Sequence, residues 1–483
     1  MAPPKNEKNQ IFLGSFIYST KLDELAYMHQ TAVFVDKAGK IVAVEQQCDE
    51  QKASEISHQK LGWDNIETDV KHAAEGEFFF PGFIDTHLHA PQYPNVGIFG
   101  NSTLLDWLET YTFPMEASLS DLSKARRVYT RCVRRTLSHG TTTAAYYATI
   151  HVPATNLLAD LCLSMGQRAF VGRVCMDHKE LCPDYYRDES PDQVMQATQD
   201  SIAHIRKVDP DYELVSPILT PRFAPGCTTE SMTRLGKLAE ETGLPVQTHI
   251  SENVNEIKLV KDMFPEAEHY AGVYDEHGLL TPKTILAHGI HLSEAEVDLI
   301  KRRGSKISHC PCSNSSITSG EARVRWLLEK GVGVGLGTDM SGGYSPSILE
   351  AARLALLVSR HLAMPHHEHD SFPEAGTEKA KLSVEEVLYL ATRGGAEVVG
   401  LEKKLGAFEV GMEFDAQLIS LGAVGETADG GQAENEDTGN VDVFGWETWE
   451  ERVAKWVFNG DDRNTTKVWV KGRLVHSRST HKA

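Results

Sequence analysis

Apolar residues recur along this chain in two rhythms, and the rhythm changes twice. Up to about residue 80 they come in short strand-like runs. The stretch TAVFVDKAGKIVAVEQ (31–46) holds two such runs around Lys37-Ala38-Gly39-Lys40, a hairpin signal. The last part returns to this pattern in FDAQLISL (414–421) and KVWVKGRLV (467–475), the latter turned at Lys471-Gly472. Two β-rich ends predict one small composite β-sandwich, built from residues 1–80 and 405–483. Between them, residues 81–404 alternate. FFFPGFIDTHLHA (78–90) is followed by a predicted helix over Ser120–Leu137, with Ala125, Val128, Tyr129, Cys132, Val133 and Leu137 at helical spacing and Gly140 as its stop. Strand-like runs follow at TTTAAYYATI, RAFVGRVCM, YELVSPILT, LPVQTHI, TILAHG, SKISHC and VGVGLGTD. Helix-like segments such as TESMTRLGKLAEET and SEAEVDLIKRRG lie between most of them. With the first strand this makes eight β units, an α/β pattern that predicts a (β/α)8 TIM barrel. A doubly wound sheet alternates in the same way, so the count alone leaves that alternative open.

In such a barrel the C-terminal strand ends converge on one face, and here they carry chemistry. The first ends in His87 and His89, and Arg222 and Phe223 follow the fourth. The fifth ends in His249 with Glu252 three residues on; the sixth ends in His288, the seventh in His309, the eighth in Asp339. Side chains alternate across a strand, so His87 and His89 share a face. Two imidazoles, a third from His249 and a carboxylate from Asp339 suit one divalent cation, zinc or iron. A lone H-x-H is weak evidence; the set spread over four strand ends is strong. Such a cation lowers the pKa of a bound water toward neutrality. Glu252 is placed to take the proton, and His288 and Asp339 to orient the water. The plainer alternative for Glu252 is a helix-start carboxylate satisfying backbone N–H groups. His366, His367 and His369 are expected in a solvated loop, and His139 at a helix end. His309 is expected in the core or behind the site, and Cys310 and Cys312 as buried thiols.

Composition narrows the setting. The chain has 483 residues and a formal net charge of −20, which disfavours nucleic acid as a partner. No run of 18 apolar residues predicts a membrane span. MAPPKNEKNQ lacks a secretory apolar core, THKA matches no retention signal, and the eight cysteines form no CxxC pair. A cytoplasmic location is the expectation. GETADGGQAENEDTGN (425–440) is acidic and glycine-rich, too polar to bury itself. It is expected as a mobile surface insertion, and it lacks the spacing of a calcium loop.

PGFIDTHLH, THISE, LAHG, HCPCSN and GLGTD, with the tail GAFEVGMEFDAQLI, resemble the amidohydrolase superfamily over nearly the whole chain. Longer strings, among them HAPQY, LLDWLETYTFPME, TPRFAP, GLGTDMSGGYSPSILEA and GDDRN, resemble its guanine-deaminating branch. The resemblance implies one zinc per subunit, with Fe2+ as the alternative, on His87, His89, His249 and Asp339. It implies Glu252 as proton shuttle, assisted by His288 and Asp339. Gln92, Arg222 and Phe223 would recognise the purine, which His89, His249, Glu252 and Asp339 also border. The implied reaction converts guanine and water to xanthine and ammonia in purine catabolism, in a homodimer. Chemically, an amide such as Gln92 donates and accepts, Arg222 donates to a carbonyl, and Phe223 offers an aromatic face. Cys312 and Ser315 depart from the pattern and are expected at the pocket edge. The nearest alternatives are a deaminase or dechlorinase of pterins, 8-oxoguanine or triazines, and a barrel that serves only as a scaffold.

Overall fold

The hairpin expected at residues 31–46 forms, inside a larger sheet. The protein is represented by a computed structural model that describes residues 6–365, 376–423, 425–426, 432–433 and 440–478. Its first strands are β1 (Asn9–Lys21), β2 (Glu24–Val35), β3 (Ile41–Glu45), β4 (Thr68–His72) and β5 (Glu77–Pro81). β1 and β2 pair antiparallel, as do β2 and β3. The β2–β3 turn closes on Asp36, whose Oδ1 accepts from Ala38 N and Lys40 N (both 2.9 Å). Gly39 sits there at φ +82, and a Cβ on it would lie 2.1 Å from Lys471 O. Only glycine lets the turn press so closely on the C-terminal hairpin.

The middle of the chain is mixed α/β. Its strands are β6 (Phe83–His89), β7 (Thr141–Tyr147), β8 (Arg168–Gly172), β9 (Val174–Cys175), β10 (Val215–Pro217), β11 (Thr220–Pro221), β12 (Val246–Ile250), β13 (Thr284–His288), β14 (Lys306–His309) and β15 (Val334–Leu336). They form two four-stranded parallel sheets, in the orders β10-β8-β7-β6 and β12-β13-β14-β15, with β9 and β11 as a separate parallel pair. The sheets touch at both edges. Leu219 bridges in parallel to Val246. Beyond β15, Asp339 N donates to His87 O and His89 N to Met340 O (both 2.9 Å). The third and fourth expected strands are each broken in two. The pairing lapses at Gly172–Arg173 and Ile218–Leu219, where Ile218 N reaches Val171 O only at 3.4 Å and Leu219 N turns to Pro245 O instead.

The helix expected over Ser120–Leu137 runs Leu122–Ser138. Residues Ser118–Ser120 form a separate 3₁₀ turn, and Asp121 caps the helix by accepting from Ser123 N (2.8 Å). His139 closes it, followed by Gly140 at φ +81. β16 (Ala416–Ser420) then pairs antiparallel with β5 and with Thr465–Val470, which pairs with Arg473–Ser477. Strands from the two ends of the chain therefore share one eight-stranded sheet. Phe12, Phe16, Phe79, Phe414 and Trp469 pack together on it.

Within the acidic stretch, Gly425–Glu426 pair antiparallel with Gln432–Ala433, so part of it is ordered as strand. Its other residues up to 439, and His366, His367 and His369, lie outside the described residues. Among the described residues no helix is long and apolar enough to cross a membrane.

Candidate active site

The strand ends bring His87, His89, His249 and Asp339 into one cluster whose ligand atoms all lie within 4.8 Å of one another. His87 Nε2 and His89 Nε2 stand 3.1 and 3.3 Å from Asp339 Oδ1. Two links fix the cluster from behind. His249 Nδ1 donates to Arg222 O (2.6 Å), which leaves its Nε2 as a lone pair. Asp85, buried on β6, accepts from Thr338 N (3.0 Å) and Thr338 Oγ1 (2.6 Å), tying β6 to the Asp339 loop. Ser251 (φ +48), His288 (φ +73) and Asp339 (φ +44) adopt the left-handed region, a cost that non-glycine residues bear most often at functional sites.

Burial holds the imidazoles neutral: His87 is pushed down, His89 to about 4, and His249 well below its ordinary value. Neutral imidazoles and a carboxylate are the donor set a divalent cation requires. The remaining geometry agrees. His87 Nε2 is buried with no hydrogen-bond partner, and His89 Nε2 and His249 Nε2 face each other at 3.3 Å. The cluster is able to bind a metal.

Glu252 lies beside the cluster, 2% exposed. Its Oε2 is 3.3 Å from His288 Nε2, and its Oε1 accepts from Ser319 Oγ (3.2 Å). The helix-start role is filled by others. Asn253 caps the helix Val254–Met263, and Glu256 accepts from Glu252 N (2.9 Å) and Asn253 N (3.2 Å). The Glu252 carboxyl is thus left for the site. Burial, followed by the carboxylates of Asp339 and Glu256, raises it well above the usual range; a cation in the cluster acts in the opposite sense. His288 Nδ1 donates to Asn314 Oδ1 (2.9 Å), which sets the ring's orientation.

A cavity with about 400 Å³ of empty space opens on this cluster. Its polar lining includes Gln92, Arg222 and Glu252; its apolar lining includes Leu104, Trp107, Phe223 and Ile317. Every residue expected at the substrate is therefore on its wall. Others are not. His309 is buried apart from the cluster, beside a small cavity with Ala322 and Ala355, and burial pushes its ring down to about 3. Cys310 and Cys312 are buried thiols. Cys312 and Ser315 do not reach this cavity: the strand-seven loop turns straight into the helix Pro311–Ser316, which buries Cys312 and points Ser315 to solvent.

Behind the wall stands Glu116, fully buried. Its Oε1 accepts from Gln92 Nε2 (2.7 Å) and Arg222 Nη2 (3.2 Å). Its Oε2 accepts from Arg222 Nη1 (2.7 Å) and Tyr186 OH (2.8 Å). Burial pushes this carboxyl up, but the Arg222 guanidinium outweighs it and holds it below the usual range. Glu116 arrives on a helical stretch in three parts: α over Leu104–Trp107, π over Leu108–Thr112, α over Phe113–Ala117. In an α-helix, positions four apart drift by about 40° per step. The wider π turn rotates less per residue and cancels drift, so Leu104, Leu108, Thr112 and Glu116 are all buried on one side. Pro114 supplies a cause: it has no N–H for Thr110 O and its ring crowds that carbonyl.

Comparison with known proteins places this arrangement. Residues 78–475 match the amidohydrolase family. The chain belongs to that family. Among its amidohydrolase relatives, a probable guanine deaminase of Schizosaccharomyces pombe is 47% identical over 96% of this chain and 83% of its own length. The guanine deaminase of Homo sapiens is 39% identical over 96% of both chains. A crystal structure of guanine deaminase from C. acetobutylicum with bound guanine in the active site superposes with a TM-score of 0.82 at 32% identity. The match covers 97% of this chain and all of that one.

Proposed function

We propose that this amidohydrolase is a guanine deaminase, hydrolysing guanine to xanthine and ammonia. The observation that carries this is one cavity in which a metal-capable His/His/His/Asp cluster, Glu252 and the Gln92–Arg222 pair converge. It stands in a chain whose full-length relatives are guanine deaminases. We further infer that the two parallel sheets are halves of one (β/α)8 barrel over residues 81–404, with a small β-sandwich from residues 1–80 and 405–483. Both sheet edges are in contact, as closure requires.

His87, His89, His249 and Asp339 would hold the cation, zinc by the chemistry of the donor set and Fe2+ as the alternative. Bound there, it supplies Lewis-acid activation of water and polarisation of the reacting centre. The chain's own residues do the rest. Gln92 and Arg222 fix the purine in its plane by hydrogen bonds, and Phe223 supplies an apolar surface against the ring. Water adds at C2 and the exocyclic C–N bond breaks. Glu252 takes the water proton, gives it to ring N3, and helps protonate the departing amine, so the proton count closes on ammonia. His288, 3.3 Å from Glu252 and 3.7 Å from Asp339 Oδ2, keeps both carboxylates oriented.

The deciding experiment measures ammonia release from guanine and a panel of purines, pterins and triazines, with metal content determined before and after chelation. Turnover of guanine that falls with metal removal and returns with zinc is expected. No turnover of guanine by the metal-loaded protein overturns the proposal.

A further inference from the structure

Gln92 and Arg222 take their orientation from one residue outside the cavity. We propose that Glu116 is a positioning residue that fixes the pocket's donor–acceptor order and cancels its positive charge, so that the site accepts a neutral oxopurine and disfavours anionic ones. The inference rests on the purine reading above.

Glu116 accepts four hydrogen bonds, two on each oxygen, which leaves its carboxylate no accepting capacity to spare. Turning the Gln92 amide by 180° would set its carbonyl oxygen against a carboxylate oxygen 2.7 Å away. That repulsion locks the amide, with Nε2 toward Glu116 and Oε1 toward Ser341. Both Nη atoms of Arg222 are likewise committed to the same carboxylate, in the fork geometry that suits a guanidinium. The pair is buried, with side-chain exposures of 3% and 0%, so the charge cancels where water cannot screen it. An uncancelled guanidinium in this place would draw anions strongly. Guanine is neutral near pH 7, whereas urate is an anion and xanthine ionises close to neutrality. Glu116 therefore favours substrate over product as well as setting geometry.

Glu116→Gln keeps the shape, removes the charge and frees the Gln92 amide to flip. In the metal-loaded protein, KM for guanine is expected to rise at least about tenfold, with a smaller fall in kcat. Urate, titrated calorimetrically, is expected to bind at least about threefold more tightly than to wild type. Glu116→Asp retains the charge and loses the reach, so it should raise KM without tightening urate. Tyr186→Phe loosens Glu116 without touching the cavity and should raise KM alone; it serves if Glu116→Gln does not fold. A structural role would weaken guanine and urate together, and that result overturns the proposal. So does an unchanged KM for guanine, or no gain in urate affinity in Glu116→Gln. Absence of guanine turnover in the wild type is a different failure, that of the proposed function, and leaves the urate comparison decisive by itself.

Discussion

At the scale of single residues, the site divides labour between atoms of the same side chain or backbone unit. Arg222, on the cavity wall, holds the metal-cluster histidine His249 with its carbonyl and pairs with Glu116 through its guanidinium. Arg222→Met should therefore keep metal stoichiometry, read by elemental analysis, while kcat/KM for guanine falls at least about tenfold. The Glu252 backbone N–H donates to Glu256 of the helix it precedes, but its carboxylate bonds to Ser319 and to no group of that helix. Glu252→Gln should keep the fold and the metal but lower kcat about 10²–10⁴-fold, the usual range for a proton carrier. Near wild-type turnover in that variant would remove Glu252 from the reaction. The four cluster residues were legible because strand alternation and strand-end position are local properties of sequence. Glu116 was not. Its partner Arg222 is 106 residues away, and nothing local marks the pairing. The one available signal was an acid on the buried stripe of Leu104, Leu108 and Thr112, spaced by four.

At the scale of elements, close approach and helical phase place these groups. Gly337, in the eighth strand unit, would carry a Cβ 3.0 Å from His87 Cβ and 2.6 Å from Ser308 Oγ. Gly337→Ala should displace His87 and weaken metal retention in a chelator competition, while an unchanged retention would show that the strands can part without cost. The π turn at Leu108–Thr112 makes a second prediction. Replacing Pro114 by Ala gives the Thr110 carbonyl its partner and should restore α periodicity, so that the drift of about 40° per four residues accumulates to about 120° between Leu104 and Glu116 and carries Glu116 off the buried face. kcat/KM for guanine should fall at least about tenfold with circular dichroism preserved. The sequence pattern predicted the long helix to within two residues, because its apolar spacing and Asp121 cap are regular. It missed the π turn, because an inserted residue in a helix leaves only a small phase shift in hydrophobicity. It ran the third and fourth strands through their breaks, because apolar residues flank Arg173 and continue through Ile218 and Leu219 while the ladder does not.

At the scale of the molecule, the terminal sheet and the α/β middle are clasped by a buried ion cluster. Arg168, at the start of β8, meets Glu413 (2.6 Å) and Asp415 (3.4 Å), which precede β16, and donates to Glu213 O (2.7 Å). Replacing Arg168 by Met leaves Asp415 buried without a cation and Glu413 with only the more distant Lys471 (3.9 Å). Chemical denaturation should show a loss of about 3–5 kcal/mol, and a loss under 1 kcal/mol would mean that water reaches the pair. That both ends of the chain are β-rich was plain from the sequence. Their union in one sheet was only an inference, since pairing between β5 and β16 is a long-range fact. The same pairing has a consequence in time. β5 is flanked by β1 and β16, and more than 330 residues separate β5 from β16 along the chain. At about 5–20 residues per second of synthesis, the strand that carries Phe78, Phe79 and Phe80 waits roughly 20–60 s on the ribosome with one edge open. A nascent chain of this protein is thus a client for whatever shields unfinished sheets, and its yield in a cell should follow that supply more closely than the stability of the finished fold.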